Sequence, residues 1–366
     1  MKKVFLIAAA VVALAACSKN EVLPSSSINN EISFNVAPRT KALAADQRDF
    51  GVDNHFISYA YFLTNNETWP AKAGSIYIDG AEVKSTVDAT ATGGRVWKAA
   101  NSYYWPKSEK SSLTFFAWSK NTGECVLAGG ATVSCDPQKG IAFADYDVTA
   151  NKNVDLLVAD VAANKTGNEN LYTYSGVPTL FRHKLSYVIF KVKAKEAYAG
   201  KEFALNSIKF VGLGSKASYD QKANDGTAGA YNTVGEWAAP TATADQVYFN
   251  ATTPVVFTNT DFVLETGAPA SVDQKYYLPQ TLSAVAAPGA SVAGSIEVVY
   301  TIKTTEGTAE STETVTRYIS AKQMFADDLK INKMYTCTLT FSLDEITWDP
   351  AVQDWENVTA ADITIK

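Results

Sequence analysis

The sequence predicts an all-β protein built from antiparallel β-sandwiches, and three observations carry that expectation. Apolar residues recur at every second position through many short segments, as a half-buried strand requires. Gly, Pro, Asn and Asp punctuate those segments at short intervals. Stretches with the 3.6-residue period of a helix are few and short, so no strand-then-long-helix alternation points to a parallel sheet.

In chain order, the first clear strand is Ile32-Ser33-Phe34-Asn35-Val36, whose three apolar side chains fall on one face. Leu113 to Trp118 is a β-rich run with adjacent aromatics, which on a strand point to opposite faces. Val188 to Val192 and Ile296 to Ile302 alternate, as does the series Tyr335, Cys337, Leu339, Phe341, Leu343. That last series places Cys337 on a buried face as an inert thiol. Helix candidates are Ala42 to Asp49 and Ala321 to Leu329. Two stretches read as long loops, residues 151–174 and Gly214 to Gln246. A boundary is expected where Gly176-Val177-Pro178 interrupts the pattern, giving units of 40–182 and 183–366.

The amino terminus sets the compartment. Met1-Lys2-Lys3 is a positive leader, and Val4 to Ala16 is a run of 13 apolar residues, shorter than the roughly 20 that span a bilayer. Residues 1–16 are therefore expected to be a signal peptide. Leu14-Ala15-Ala16-Cys17 resembles the bacterial lipobox, which makes Cys17 the expected site of lipidation and the new amino terminus. Several acyl chains on one residue hold a protein stably at a membrane, whereas a single chain holds it marginally.

Of the 366 residues 46% are hydrophobic, 11% aromatic and 19% charged, which suits a packed globular protein. Lys and Arg number 32 against 38 Asp and Glu, a net charge of −6; loss of Lys2 and Lys3 with the leader takes it to −8. No cluster of Lys or Arg forms the stripe that nucleic acid requires, so nucleic acid is excluded as a partner. Two histidines, His55 and His183, and four cysteines leave little material for imidazole or thiolate chemistry. No phosphate-binding glycine loop, nucleophile elbow, His-Glu-x-x-His or Cys-x-x-Cys occurs. No catalytic residue, metal site or cofactor is expected.

Some groups leave two readings open. Cys125 and Cys135 enclose a Gly-rich stretch and can bridge in an oxidising compartment. The series Asp145, Asp147, Asn151, Asn153, Asp155 offers hard oxygen ligands without the rest of a calcium loop, and otherwise reads as a solvated acidic loop. Tyr103-Tyr104-Trp105-Pro106 and Phe115-Phe116-Ala117-Trp118 supply either a platform for a glycan or host protein, or a core. His183 reads as a core or edge histidine.

Several segments, taken in order, resemble the fimbrillin family, the lipoprotein pilins of Bacteroidales surface fimbriae. They are the lipobox Leu14 to Cys17, the strand Ile32 to Val36 with Ala37-Pro38-Arg39-Thr40-Lys41-Ala42 after it, and Tyr103-Tyr104-Trp105-Pro106 running into Leu113 to Trp118. Asp155-Leu156-Leu157-Val158-Ala159, Pro178 to Lys184, Tyr276-Tyr277-Leu278-Pro279-Gln280, Trp348 and Trp355 complete the set. The resemblance implies two transthyretin-like antiparallel β-sandwich domains in tandem and a non-enzymatic structural or adhesive role. It also implies an outer-membrane lipoprotein precursor and removal of a propeptide, here residues 17–39, by an Arg/Lys-specific protease. Arg39 is the expected cleavage position, with Lys41 its nearest alternative, because Pro38 favours an extended chain. The exchanged first strand is then Ile32, Phe34 and Val36. The donor that replaces it in a neighbouring fimbrial subunit is the final segment, where Ala361, Ile363 and Ile365 share a face. Two other readings are a glycan-binding surface lipoprotein using Tyr104 and Trp105, and a basal fimbrial anchor that keeps its first strand.

Overall fold

The structure is a computed structural model that describes residues 31–37, 50–89, 95–167, 176–224, 231–267, 272–286, 289–326 and 328–355. Its first half supplies β1 (Phe34–Ala37), β2 (Phe56–Leu63), β3 (Ser75–Val87), β4 (Arg95–Ala99), β5 (Ser112–Ser119), β6 (Thr132–Asp136), β7 (Gly140–Asp147), β8 (Leu157–Ala159), β9 (Ala162–Lys165) and β10 (Val177–His183). The second half supplies β11 (Ser186–Ala194), β12 (Lys201–Asp220), β13 (Glu236–Trp237), β14 (Ala242–Phe257), β15 (Phe262–Val263), β16 (Tyr276–Tyr277), β17 (Ser295–Glu306), β18 (Ala309–Ser320), β19 (Lys333–Phe341) and β20 (Ile346–Asp354). Helix is confined to α1 (Leu264–Gly267) and α2 (Ala321–Phe325) among the described residues. The expected strands at 113–118, 188–192 and 296–302 all form, and the protein is all-β.

The expected helix at 321–329 is shorter than its pattern. The Ser320 hydroxyl caps it by accepting from the Gln323 amide, and Ala326 ends it in a left-handed conformation at φ +55. Both expected long loops carry structure. Residues 157–165 hold β8 and β9, while β12 continues to Asp220 and β14 begins at Ala242. Side-chain alternation there is weak because β8 and β9 are only three and four residues long and the end of β12 is small and polar, and neighbouring strands dictate the conformation instead. The helix expected at Ala42 to Asp49 lies outside the described residues.

One sheet has the order β2-β3-β4-β1-β10-β8-β5-β9, and β2 also pairs with β5 over Ile57 to Leu63. That pairing closes seven of these strands into a ring, with β9 beside β5 outside it, so the first half is a closed barrel and the open sandwich expected there is corrected. Closure satisfies strand edges that an open sheet would leave to solvent. A second sheet runs β15-β11-β19-β20 with β16 on β11, and a third runs β18-β17-β12-β7-β6 with β13 and β14 on β12. These two sheets share one core, to which β11 and β19 give Phe190 and Leu339 and β12 and β17 give Phe210 and Val298.

The halves are tied together. Strands β6 and β7 lie before residue 182, yet β7 pairs with Lys216 to Asp220 of β12. A second core collects Phe116, Trp118 and Val158 from the barrel with Phe143, Tyr146, Tyr219 and Leu278. Strand β5 is buried along its whole length. Its adjacent aromatics divide as a strand dictates, with Phe115 inside the barrel and Phe116 in the shared core. Phe143→Ala is therefore expected to lower stability by about 3–5 kcal/mol in chemical denaturation while leaving one cooperative transition. Two separated transitions would contradict a shared core.

Candidate functional site

The site is the seam of the barrel. Strand β1 lies between β4 and β10. It runs parallel to β10, with Phe34 beside Val177 and Ala37 beside Leu180, and meets β4 through a single pair, Phe34 with Trp97. Parallel pairing is slightly weaker per residue than antiparallel pairing, so this short strand depends on its side chains. Ile32 and Phe34 are 3% and 4% exposed, and Val36 is half-buried. The Phe34 ring stands edge-on to Phe56 at 5.3 Å and to Phe115 at 6.0 Å. Phe50 contacts both flanking strands, with its ring 5.2 Å from Trp97 and 5.0 Å from Phe181.

Polar contacts fix the register. The Ile32 amide donates to the Tyr103 carbonyl at 2.7 Å and the Val177 amide to the Ser33 carbonyl at 2.7 Å. Glu31 accepts from the Lys98 ammonium at 2.7 Å and from the Ser102 hydroxyl at 2.6 Å. Burial pushes the Glu31 carboxyl up, but the Lys98 and Ser102 hydrogen bonds and the Lys98 charge outweigh it, so its pKa lies below the ordinary value. At Gly176, φ is +82 and an added Cβ would lie 2.5 Å from the Ser33 carbonyl oxygen. The floor of the slot is bare backbone because nothing larger fits.

The chain leaves the second half close to the same strand. Trp355, 1% exposed, follows β20 and lays its indole on the His183 ring at 3.6 Å and 5°, at the far end of β10. Tyr187 and Tyr276 stack on Trp355 at 5.1 and 5.7 Å. Asp155 meets His183 Nδ1 at 2.8 Å and accepts from Asn121 at 3.0 Å. His183 is thus a core histidine that seats the root of the C-terminal segment. Cys17, Arg39, Lys41, Ala361, Ile363 and Ile365 lie outside the described residues.

Three readings of the sequence resolve here. The Cys125–Cys135 bridge is corrected, since both are free thiols. The Cys125 thiol meets the His55 carbonyl before the start of β2, while the Cys135 carbonyl accepts from Tyr61, six residues further on. That separation is about 20 Å along a strand, against the roughly 7 Å limit between Cα atoms of a disulfide. The acidic series is spent on local caps and cross-links: Asp147 caps Thr149, Asn151 bonds Ala128, and Asn153 bonds Asp273. No cluster able to hold a metal ion occurs among the described residues. Trp105 is half-buried, with Gly167 so close that an added Cβ would be 2.5 Å from the indole and with the Phe115 ring at 5.7 Å. Tyr104 is 42% exposed.

The fimbrillin-like family profile matches residues 44–355. The chain belongs to the fimbrillin-like family. Its fold resembles that of a fimbrial protein from Bacteroides vulgatus, at a TM-score of 0.60 and 18% identity, covering 89% of this chain and 100% of that one. More distant likenesses include a putative cell adhesion protein from Bacteroides uniformis (TM-score 0.44, 16% identity, 89% and 100% covered) and the tip fimbrial protein of Porphyromonas gingivalis with C-terminal truncation (0.37, 11%, 89% and 100%). No curated protein matches this fimbrillin-like chain by sequence.

Sequence reasoning found Ile32, Phe34 and Val36 through their alternation. It missed Lys98, Ser102, Gly176 and Phe50, which come to the slot from distant segments and carry no local pattern. Two outcomes follow from the slot. A carboxyl whose pKa is depressed on folding contributes stability that is present above its ordinary value, 4.5 for Glu, and is lost as pH falls through the lower folded value. Stability measured from pH 6 to pH 3 is expected to drop in that acid range, with a smaller drop in Glu31→Gln. Gly176→Ala is expected to destabilise by about 1–3 kcal/mol or more. Gly130→Ala, at φ +78 with nothing within 4 Å of the new Cβ, isolates the backbone part of that effect.

Proposed function

We propose that this fimbrillin-like protein is a structural or adhesive subunit of a surface fimbria, without catalytic activity. In this reading it is exported as an outer-membrane lipoprotein through Cys17, cut near Arg39 or Lys41 by an Arg/Lys-specific protease, and polymerised by strand exchange. The donor is the C-terminal segment of another subunit, carrying Ala361, Ile363 and Ile365. Cell-surface placement and assembly with other fimbrial subunits accord with the family.

One observation carries the reading: β1 closes the barrel at a seam, bonded to β4 through one residue pair, and the cleavage positions follow it directly in sequence. Removing it would open a slot between β4 and β10. The exposed cavity would be apolar, lined by Phe56, Trp97, Phe115 and Phe181, and an open apolar edge is a template for another strand. Refilling the Ile32 and Phe34 positions contributes about 1.5–3 kcal/mol for each side chain. The same energy holds a cut strand in place until a competitor displaces it, so exchange is a replacement and not a dissociation followed by capture.

Sheared surface material, analysed by mass spectrometry of its amino terminus, tests this. The polymer is expected to begin at about Thr40 or Ala42 and to lack lipid. A polymer that still begins at acylated Cys17 would overturn strand exchange and favour a basal anchor that keeps β1.

A further inference from the structure

The last five residues repeat the pattern of the strand that fills the slot. Glu31-Ile32-Ser33-Phe34-Asn35 reads acidic, Ile, hydroxyl, large apolar, polar; Asp362-Ile363-Thr364-Ile365-Lys366 reads the same. Each of the first four positions of that segment, which leads into β1, has a defined environment: Lys98 and Ser102 around Glu31, a buried pocket at Ile32, bare backbone at Ser33, and an aromatic pocket at Phe34. Resting on the strand-exchange reading above, we propose that the incoming tail enters parallel to β10 and that its Asp362 takes the place of Glu31 on Lys98. Ile363 then fills the Ile32 pocket and Ile365 the Phe34 pocket, with the Thr364 carbonyl accepting from the Val177 amide.

Competing arrangements fit less well. A shift by two residues would put Ala361 in the Ile32 pocket and Ala360 beside Lys98, leaving an undersized side chain and an unpaired ammonium. The opposite direction would bring the Lys366 side chain against Lys98. Lys98 is therefore the specificity-determining residue of the slot. It selects subunits whose tails place a carboxylate immediately before an isoleucine, with a second apolar residue two further on.

This register also favours completion by a neighbour. The Lys98 end of the slot lies nine residues along β1 and β10 from His183, where the protein's own tail is rooted by Trp355, or about 30 Å. The six residues between Trp355 and Asp362 extend over at most about 25 Å. A tail folding back into the slot of its own subunit would need to be fully extended, which favours the slot of a neighbour.

Charge reversal in the full chain, expressed where it is exported and trimmed, tests the contact. In E31K/K98E the precursor keeps an ion pair across the slot, but an incoming Asp362 meets Glu at position 98. The assembled fraction of surface protein is expected to fall about tenfold or more, as like charges at an interface require, and to return in E31K/K98E/D362K. Native-level assembly of E31K/K98E, or failure of D362K to restore it, would overturn the proposal. If E31K/K98E does not reach the surface, tail variants alone read the same contact: D362E is expected to assemble as the native chain and D362K about tenfold less, and equal assembly would overturn it. A native polymer that retains residues 31–39 would instead overturn the strand-exchange reading itself, whatever the variants do.

Discussion

The architecture depends on how the barrel is closed. Seven strands form the ring, and strand β1 is held in it by a four-residue parallel ladder with β10 and a single residue pair with β4. It arrives from the amino terminus and lies parallel to β10, and its hold on the barrel comes from Ile32, Phe34 and the Glu31–Lys98 pair. A strand secured mainly by side chains in pockets can be replaced by any segment that supplies equivalent side chains, because main-chain hydrogen bonds do not depend on sequence.

In the strand-exchange reading proposed above, the rest of the molecule would keep the slot fixed while its occupant changed. Phe50 touches the strands on both sides of the seam, and the shared core under β5 binds the barrel to the sheets of the second half. Strand β12, 20 residues long, pairs with strands from both halves. At the far end of β10, the stack of His183, Trp355, Tyr187 and Tyr276 fixes the point from which the last residues depart. One strand thus carries the β1 seam at one end and Trp355 at the other, which in that reading would suit a head-to-tail chain of subunits.

Much of this was legible in the sequence, and the rest was not for definable reasons. Alternation located the strands because one face of each is buried, and it picked out Ile32, Phe34 and Val36. Barrel closure was invisible, since it rests on β2 meeting β5 across some fifty intervening residues that show no marker of it. The end of β12 from Gly214 to Asp220 read as loop because Gly214, Ser215, Lys216, Ala217 and Ser218 leave the apolar pattern faint. Cys125 and Cys135 looked bridgeable by spacing, but His55 and Tyr61 hold them at different levels of one strand. Lys98 had no signal of its own and Gly176 read only as an interruption of the pattern; each takes its meaning from the Glu31 to Ala37 segment lying against it. Membership of the fimbrillin-like family was legible from motifs spread along the chain, and the match over residues 44–355 agrees.

The central claim is that the C-terminal segment of one subunit occupies the β1 slot of the next. Amide hydrogen exchange on assembled fimbriae, read peptide by peptide, tests it most directly. The account predicts that residues 362–366 exchange as slowly as Val177 to Leu180 in β10, with residues 31–37 absent. Rapid exchange of those last five residues in the polymer, with the slot still protected, would contradict it.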